Sequence, residues 1–315
     1  MYNKRVVVAI GGNSLTPTDQ SNWIGSQFKN TRTSIESLLP LIEQDYSVVV
    51  THGNGPQVGI ALRRVEETRD KLPDIPLGVL VADTEGSMGY MIEQSLLNKL
   101  KEKGIDRSVA TVLTQVVVDK NDPALLDPTK YVGSFYTEEE AKKLAAENGW
   151  IVKKDADRGW RRVVGSPIPT DIVNKKIISG LLDADNIVIA AGGGGIPVYV
   201  DERGLYEGVD AVIDKDTASA LLANLVGADE LYIMTAVSKV ALNFGKPDQK
   251  DLDKITLEEA DRYLKEGHFP YGSMGPKMKA AILFLRNGGK RVIITDIEKL
   301  SEAIEGKNGT SIVKN

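Results

Sequence analysis

The residues that decide the fold are Val6-Val7-Val8-Ala9-Ile10, followed by Gly11-Gly12-Asn13-Ser14-Leu15. Five consecutive apolar residues, mostly β-branched, fit a strand buried on both faces. The glycines at its end allow backbone N–H groups to approach an anion closely, as many folds do to seat phosphate. The phosphate loop G-x-x-x-x-G-K-[ST], however, carries its cation directly after the glycines. Here the pairs Gly245-Lys246, Gly289-Lys290 and Gly306-Lys307 are followed by Pro, Arg and Asn. If Gly11-Gly12 holds phosphate, its positive charge must come from elsewhere in the chain.

The same pattern extends outward from this stretch. Short apolar runs at 5–10, 47–51, 109–118, 186–191, 230–236 and 291–295 alternate with amphipathic segments. Several runs are apolar on both alternations, which predicts mostly parallel strands with helices on two faces, an α/β three-layer sandwich. Thr137 with Glu140 and Thr256 with Glu259 have capping-box spacing and mark two helix starts. From about Asp119 to Pro169 the rhythm breaks. This insertion has its own helical segment and two strand-like pieces, 150–155 and 160–165, and reads as a small folded subdomain: a lid, or a surface elaboration without function.

Composition narrows the function. In 315 residues, 39 Lys and Arg face 44 Asp and Glu, a net charge of -5, so no basic field recruits nucleic acid or anionic lipid. There is no cysteine, and the two histidines, His52 and His268, are far apart in sequence, which argues against a resident metal centre. The apolar run near Met1 is too short for a signal-peptide core, and no apolar stretch reaches the roughly 18 residues of a membrane span. The expectation is a cytoplasmic protein acting on a small molecule, with neither nucleic-acid nor membrane partners.

Three further glycine-bearing turns follow the runs: Thr51-His52-Gly53-Asn54-Gly55, Ala191-Gly192-Gly193-Gly194-Gly195, and Gly272-Ser273-Met274-Gly275-Pro276-Lys277. Loops at the carboxyl ends of parallel strands converge on one crevice, so four such loops predict a ligand site there. No G-x-G-x-x-G fingerprint points to a dinucleotide. Pro276 suits the first helical position, which puts Lys277 in the first turn, where it opposes the helix dipole unless an anion is bound. That makes Lys277 a phosphate ligand or a lysine pointing to solvent. Lys215 lies between Asp214 and Asp216 where an apolar run turns into a helix; this motif is equally an oriented ammonium or a solvated charge cluster.

In register across nearly the whole chain, 9–15, 51–59, 159–169, 190–198, 208–219 and 272–277 resemble the carbamate kinases of the amino-acid kinase family. The resemblance implies one amino-acid kinase domain over 1–315. Residues 1–180 would bind the phosphoryl acceptor, 119–169 would form the inserted lid, and 181–315 would bind nucleotide. It implies a homodimer transferring phosphoryl groups reversibly between ATP and carbamate, with Mg2+ on the nucleotide, usually in arginine fermentation. Relatives that act on acetylglutamate carry a lysine just before the first glycine pair, where this chain has Ala9-Ile10. In carbamate kinases that cation comes from the lid, matched here by Pro128-Thr129-Lys130. One departure is Gly165, where the resemblance implies proline.

Carried over residue by residue, Lys130, Lys215 and Lys277 would be the catalytic cations, with Asp216 holding the last two. Gly11, Gly12, Asn13, Gly53, Asn54 and Gly55 would cradle carbamate and the phosphoryl oxygens. Thr235, Ala236, Val237, Met274 and Gly275, with Lys215 and Lys277, would face the nucleotide. The alternatives are a family member using acetylglutamate or UMP as acceptor, and a non-catalytic sensor on the same fold.

Overall fold

The computed structural model describes residues 4–15, 24–270 and 272–314, without the side chains of Asn13 and Asp157. Its centre is an eight-stranded sheet. In chain order the strands are β1 (Lys4–Ile10), β2 (Tyr46–His52), β3 (Val109–Val112), β4 (Ile187–Ala190), β5 (Glu230–Thr235), β6 (Lys254–Thr256), β7 (Arg291–Asp296) and β8 (Thr310–Val313). They lie in the order β6-β8-β7-β5-β1-β2-β4-β3. β1 is central and pairs in parallel with β2 and β5. Six strands run one way, while β8 and its parallel neighbour β6 run the other way at one edge.

The unbroken apolar runs are explained by a division between two layers. Val7, Val49, Val188, Leu231 and Ile233 pack with helices Lys175–Asp183, Lys215–Leu225 and Met274–Arg286. Their neighbours Val6, Val8, Ile10, Val48, Val50 and Tyr232 pack with helices Ile24–Glu36 and Leu77–Lys103 on the other face. Successive side chains on a strand point to opposite faces. Each run therefore serves both cores, and none of these strand residues has accessible surface. At about 25 cal/mol per Å² of buried apolar surface, this double burial is the main stabilising term of the sheet.

The run at 109–118 is not one strand. It turns at Leu113-Thr114, and Gln115–Val118 leaves for a second, four-stranded sheet with Tyr206–Gly208, Ile196–Val200 and Pro169–Ile172. Sequence periodicity did not separate the two pieces, because both halves are β-branched and apolar.

Between Gln115–Val118 and Pro169–Ile172 the chain forms a three-stranded antiparallel sheet with Trp160–Val164 in the middle, flanked by Lys130–Tyr136 and Ile151–Lys154. Helix Glu138–Asn148 has the capping box at Thr137 and Glu140, and Thr256 with Glu259 caps helix Leu257–Lys265 in the same way. Lys130–Tyr136 is a strand that the sequence reading did not include. Val132 and Val164 pack on Val58, Leu62 and Leu80, which seats the subdomain on helix Gly55–Thr68. Glu66 of that helix accepts hydrogen bonds from Ser134 N (3.3 Å) and Tyr136 Oη (2.9 Å). Gly165 sits where the chain returns: its carbonyl accepts from Val212 N at 3.0 Å, and a Cβ there would lie 2.8 Å from Ala124 O. Close backbone packing thus accounts for the glycine at this position.

Candidate active site

The carboxyl ends of β1 and β2 meet directly. Gly53 N donates to Ile10 O at 2.9 Å. A Cβ on Gly53 would lie 2.8 Å from Gly12 N and 3.3 Å from Lys215 Cδ, and one on Gly12 would lie 3.1 Å from the Gly53 carbonyl carbon. Two backbones and a lysine stem therefore occupy space that any side chain would fill. Gly11 and Gly55 differ: Gly11 has ordinary clearance, and nothing lies within 4 Å of a Cβ on Gly55. No described protein atom requires glycine at either position.

Asn54, at the N-cap of helix Gly55–Thr68, does not cap it; its Nδ2 donates to Thr84 Oγ1 at 2.9 Å. Asn54 is buried. This bond uses one of the two Nδ2 hydrogens of Asn54. The Asn13 side chain lies outside what is described; its backbone belongs to the single helical turn Gly12–Leu15.

The Asp214-Lys215-Asp216 motif is resolved by burial. Asp214 caps helix Lys215–Leu225, accepting from Asp216 N (3.1 Å) and Thr217 N (3.0 Å). Its neighbour Asp216 faces inward. One carboxylate oxygen accepts from Lys215 Nζ, and the other accepts from Lys277 Nζ at 2.9 Å. The side chains of Lys215, Lys277 and Asp216 are only 14, 15 and 5% exposed. Burial alone would raise the Asp216 carboxyl, but the two ammonium groups outweigh it and hold the pKa below the usual carboxylate value. Burial lowers Lys215, aided by the charge of Lys277 and opposed by Asp216. Ser219 Oγ donates to Lys215 O (2.6 Å), leaving Thr51 Oγ1 of β2 to donate to Ser219 (2.6 Å). The lysine's helix is thereby pinned to the strand that carries Gly53.

Lys277 comes from helix Met274–Arg286. Pro276 is its third residue, not its first as the sequence suggested, because the preceding turn winds on through Gly275 N to Pro270 O at 2.9 Å. The N–H at this position needs no helical partner, so proline is tolerated there. Lys277 still opens the helix, and its unfavourable place in the dipole is offset by Asp216.

The fourth loop is the tightest. Gly193, Gly194 and Gly195 all have positive φ, and so does Ala191, at 50°. A Cβ would lie 2.1 Å from Asn54 Nδ2 at Gly193, 2.3 Å from Ile213 O at Gly194, and 2.2 Å from Val116 Cγ2 at Gly195. The loop thus wedges between the Gly53-Asn54 turn and the segment leading into Lys215. His52 is buried beside it, and burial, reinforced by the Lys215 charge, depresses its pKa to about 4 against a bond to the Gly53 carbonyl. It is a neutral histidine of the core.

The remaining assignments lie further out. Thr235 ends β5, next to β1, with Ala236 and Val237 following; Met274 is half-buried against the core at the start of the Lys277 helix. At Gly275 a Cβ would meet Pro270 O at 3.0 Å. Lys130 is exposed at the start of its lid strand, opposite Val164, and has no ion pair among the described residues. The lid arginines are occupied: Arg161 pairs with Asp155 (3.2 Å) and lies over Phe135, while Arg162 pairs with Asp210 (2.9 Å) and lies over Trp150. Among the described residues no group of His, Cys, Asp and Glu could hold a metal ion, and no helix is long and apolar enough to cross a membrane.

Sequence reasoning passed over Thr84, Glu85 and Thr114. Glu85 left a signal: it falls on the apolar stripe Val81, Met88, Ile92, Leu96 of helix Leu77–Lys103, where a carboxylate is out of place.

A parallel sheet whose glycine loops and paired lysines gather at the carboxyl ends of its strands defines a phosphoryl-transfer fold, and the chain belongs to the amino acid kinase family, whose model matches residues 4–296. Over 99% of both chains it is 49% identical to the carbamate kinase of Thermococcus kodakarensis. It is 48% identical to that of Pyrococcus horikoshii over 98% of this chain and 99% of the relative. Among solved structures, the carbamate kinase of Giardia lamblia bound to AMP-PNP superposes with a TM-score of 0.95 at 42% identity, covering 99% of both chains.

Proposed function

We propose that this chain transfers a phosphoryl group reversibly between ATP and carbamate. In the direction of ATP formation, a β-phosphate oxygen of ADP attacks the phosphorus of carbamoyl phosphate. The bond from phosphorus to the carbamoyl oxygen breaks, and carbamate leaves with the electron pair and decomposes to ammonia and CO2. Such a transfer needs little covalent help; positioning and neutralisation of the oxygens in flight carry the catalysis.

The observation that carries this reading is Asp216 gripping Lys215 and Lys277 beside the abutting Gly12 and Gly53 loops. In this reading the two lysines bracket the transferring group from the nucleotide side, and the backbone of Gly11, Gly12, Gly53, Asn54 and Gly55 receives the acceptor. Lys130 reaches it from the lid. Magnesium enters on the nucleotide phosphates as part of that substrate. Thr235, Ala236, Val237, Met274 and Gly275 line the nucleotide side. A homodimer, a cytoplasmic location and a role in arginine breakdown complete the proposal.

The test is ATP formation from ADP and carbamoyl phosphate with magnesium, run beside phosphorylation of acetylglutamate and UMP from ATP. Turnover with carbamoyl phosphate that stops when EDTA removes the metal is expected. Turnover with acetylglutamate or UMP alone overturns the assignment, and nucleotide binding without any turnover would make the chain a sensor.

A further inference from the structure

Glu85 is 2% exposed and is used by none of the steps above. It sits next to Thr84, the partner of Asn54, so one turn of helix Leu77–Lys103 reaches two of the site's loops. Glu85 Oε2 accepts from Thr114 N at 2.8 Å. Thr114, fully buried, in turn holds both ends of the tight glycine loop: its Oγ1 accepts from Ala191 N (2.9 Å) and its carbonyl from Ile196 N (2.8 Å). Gly192 is squeezed between His52 and Glu85: a Cβ there would lie 2.4 Å from His52 Nε2 and 3.0 Å from Glu85 Cγ.

We propose that Glu85, acting through Thr114, is a positioning residue that fixes the Gly192–Gly195 loop between the acceptor turn and the Lys215 helix for phosphoryl transfer. This rests on the function proposed above. The loop wedges against Asn54 on one side and Ile213 on the other, so its placement sets the spacing of the acceptor cradle and the lysine pair. The site favours the neutral acid form of Glu85: its Oε1 is buried without a hydrogen-bond partner, which disfavours a full negative charge. Burial pushes its pKa up to about 8 against the pull of the Thr114 and Gly192 amides, and no charged side chain contributes. The titratable groups nearby are His52, neutral above about pH 4, and Lys215, whose charge bears on His52. The Leu113–Gln115 turn and the glycine loop bring none.

The sign follows from proton linkage. The folded protein holds a proton on Glu85 up to about pH 8, while the unfolded chain releases it near 4.5, so stability falls as pH rises through that window. His52, lowered from 6.5 to about 4, contributes the opposite slope between those values. Lys215, whose pKa burial also lowers, contributes a slope of the same sign as His52, so the Glu85 effect from about pH 6.5 to 8 is read as the difference between the parent and Glu85→Gln.

The experiment compares the full chain with Glu85→Gln and Glu85→Ala, measuring kcat/KM for carbamoyl phosphate and the thermal midpoint from pH 6 to 9, with ADP affinity by calorimetry. Glu85→Gln should keep kcat/KM within about threefold at pH 7 and lose the parent's decline in midpoint and activity near pH 8. Glu85→Ala should lose tenfold or more in kcat/KM while ADP affinity stays within threefold. If Glu85→Gln tracks the parent's pH profile, or Glu85→Ala keeps the parental kcat/KM, the proposal is overturned; should Glu85→Ala not fold, the glutamine comparison decides. A parent inactive with carbamoyl phosphate would sink the function instead, and the midpoint profiles would still decide the state of Glu85.

Discussion

In the proposed function, the floor of the site and the inserted subdomain acting as its lid solve the same electrostatic problem in opposite ways. On the floor, Lys215 and Lys277 are buried, paired to one carboxylate and anchored at helix starts. On the lid, Lys130 is exposed, without an ion pair among the described residues, at the edge of a small sheet. A preorganised cation lowers a barrier because it need not reorganise as charge develops, but its burial must be compensated, and Asp216 does this. A solvated cation requires no partner in the resting protein, and it can be withdrawn to admit substrate and release product. In the function proposed above, the floor sets geometry and the lid delivers charge.

The sharpest way to break this comparison is to remove a floor cation. Lys215→Ala and Lys277→Ala should each lower kcat by roughly 10²–10³, about 2.7–4 kcal/mol, the usual loss of one preorganised donor to developing charge. A variant with parental kcat and unchanged thermal midpoint would show that the lysine takes no part in transfer. Next comes the loop that joins the two floor elements. Gly193→Ala forces a methyl group against Asn54 at a positive φ. It should cost about 1–3 kcal/mol in urea unfolding and reduce turnover with it. A neutral result would mean that the loop yields freely.

A smaller effect sharpens the lid side. Glu66 clamps the lid strand through Ser134 and Tyr136, and a Cβ on Gly133 would lie 2.6 Å from its Oε1. Glu66→Ala should loosen that strand by about 1–2 kcal/mol, read as faster amide exchange over 130–136 with little change on the floor. Equal acceleration in both regions would mean that lid and floor move as one body.

How far each region was legible in the sequence follows the same division. The floor announces itself because it depends on local chemistry: apolar runs ending in glycines, and Pro276-Lys277 at a helix start. What stayed hidden depends on long-range packing. Whether Asp214-Lys215-Asp216 is buried or solvated is decided by Lys277, 61 positions away along the chain. The division of labour, with Asp214 capping and Asp216 clamping, also needs the helix start to be known to the residue. The run 109–118 concealed a turn because Leu113 and Thr114 carry no glycine or proline. Asn54 entered as a ligand through the resemblance, and its bond to Thr84 of another element could not be read locally. In the lid, Lys130 was found only through the resemblance, since an exposed lysine after proline and threonine has no local signature.

The most direct test of the divided site is Lys130→Ala, assayed for ATP formation from carbamoyl phosphate and, without that substrate, for ADP binding by calorimetry. The division of charge between floor and lid predicts that turnover collapses while ADP affinity stays within a few-fold of the parent. Parental turnover would show that the Gly11-Gly12 loop draws its positive charge from another residue, and a matching loss of ADP affinity would show that lid and floor are not separate devices.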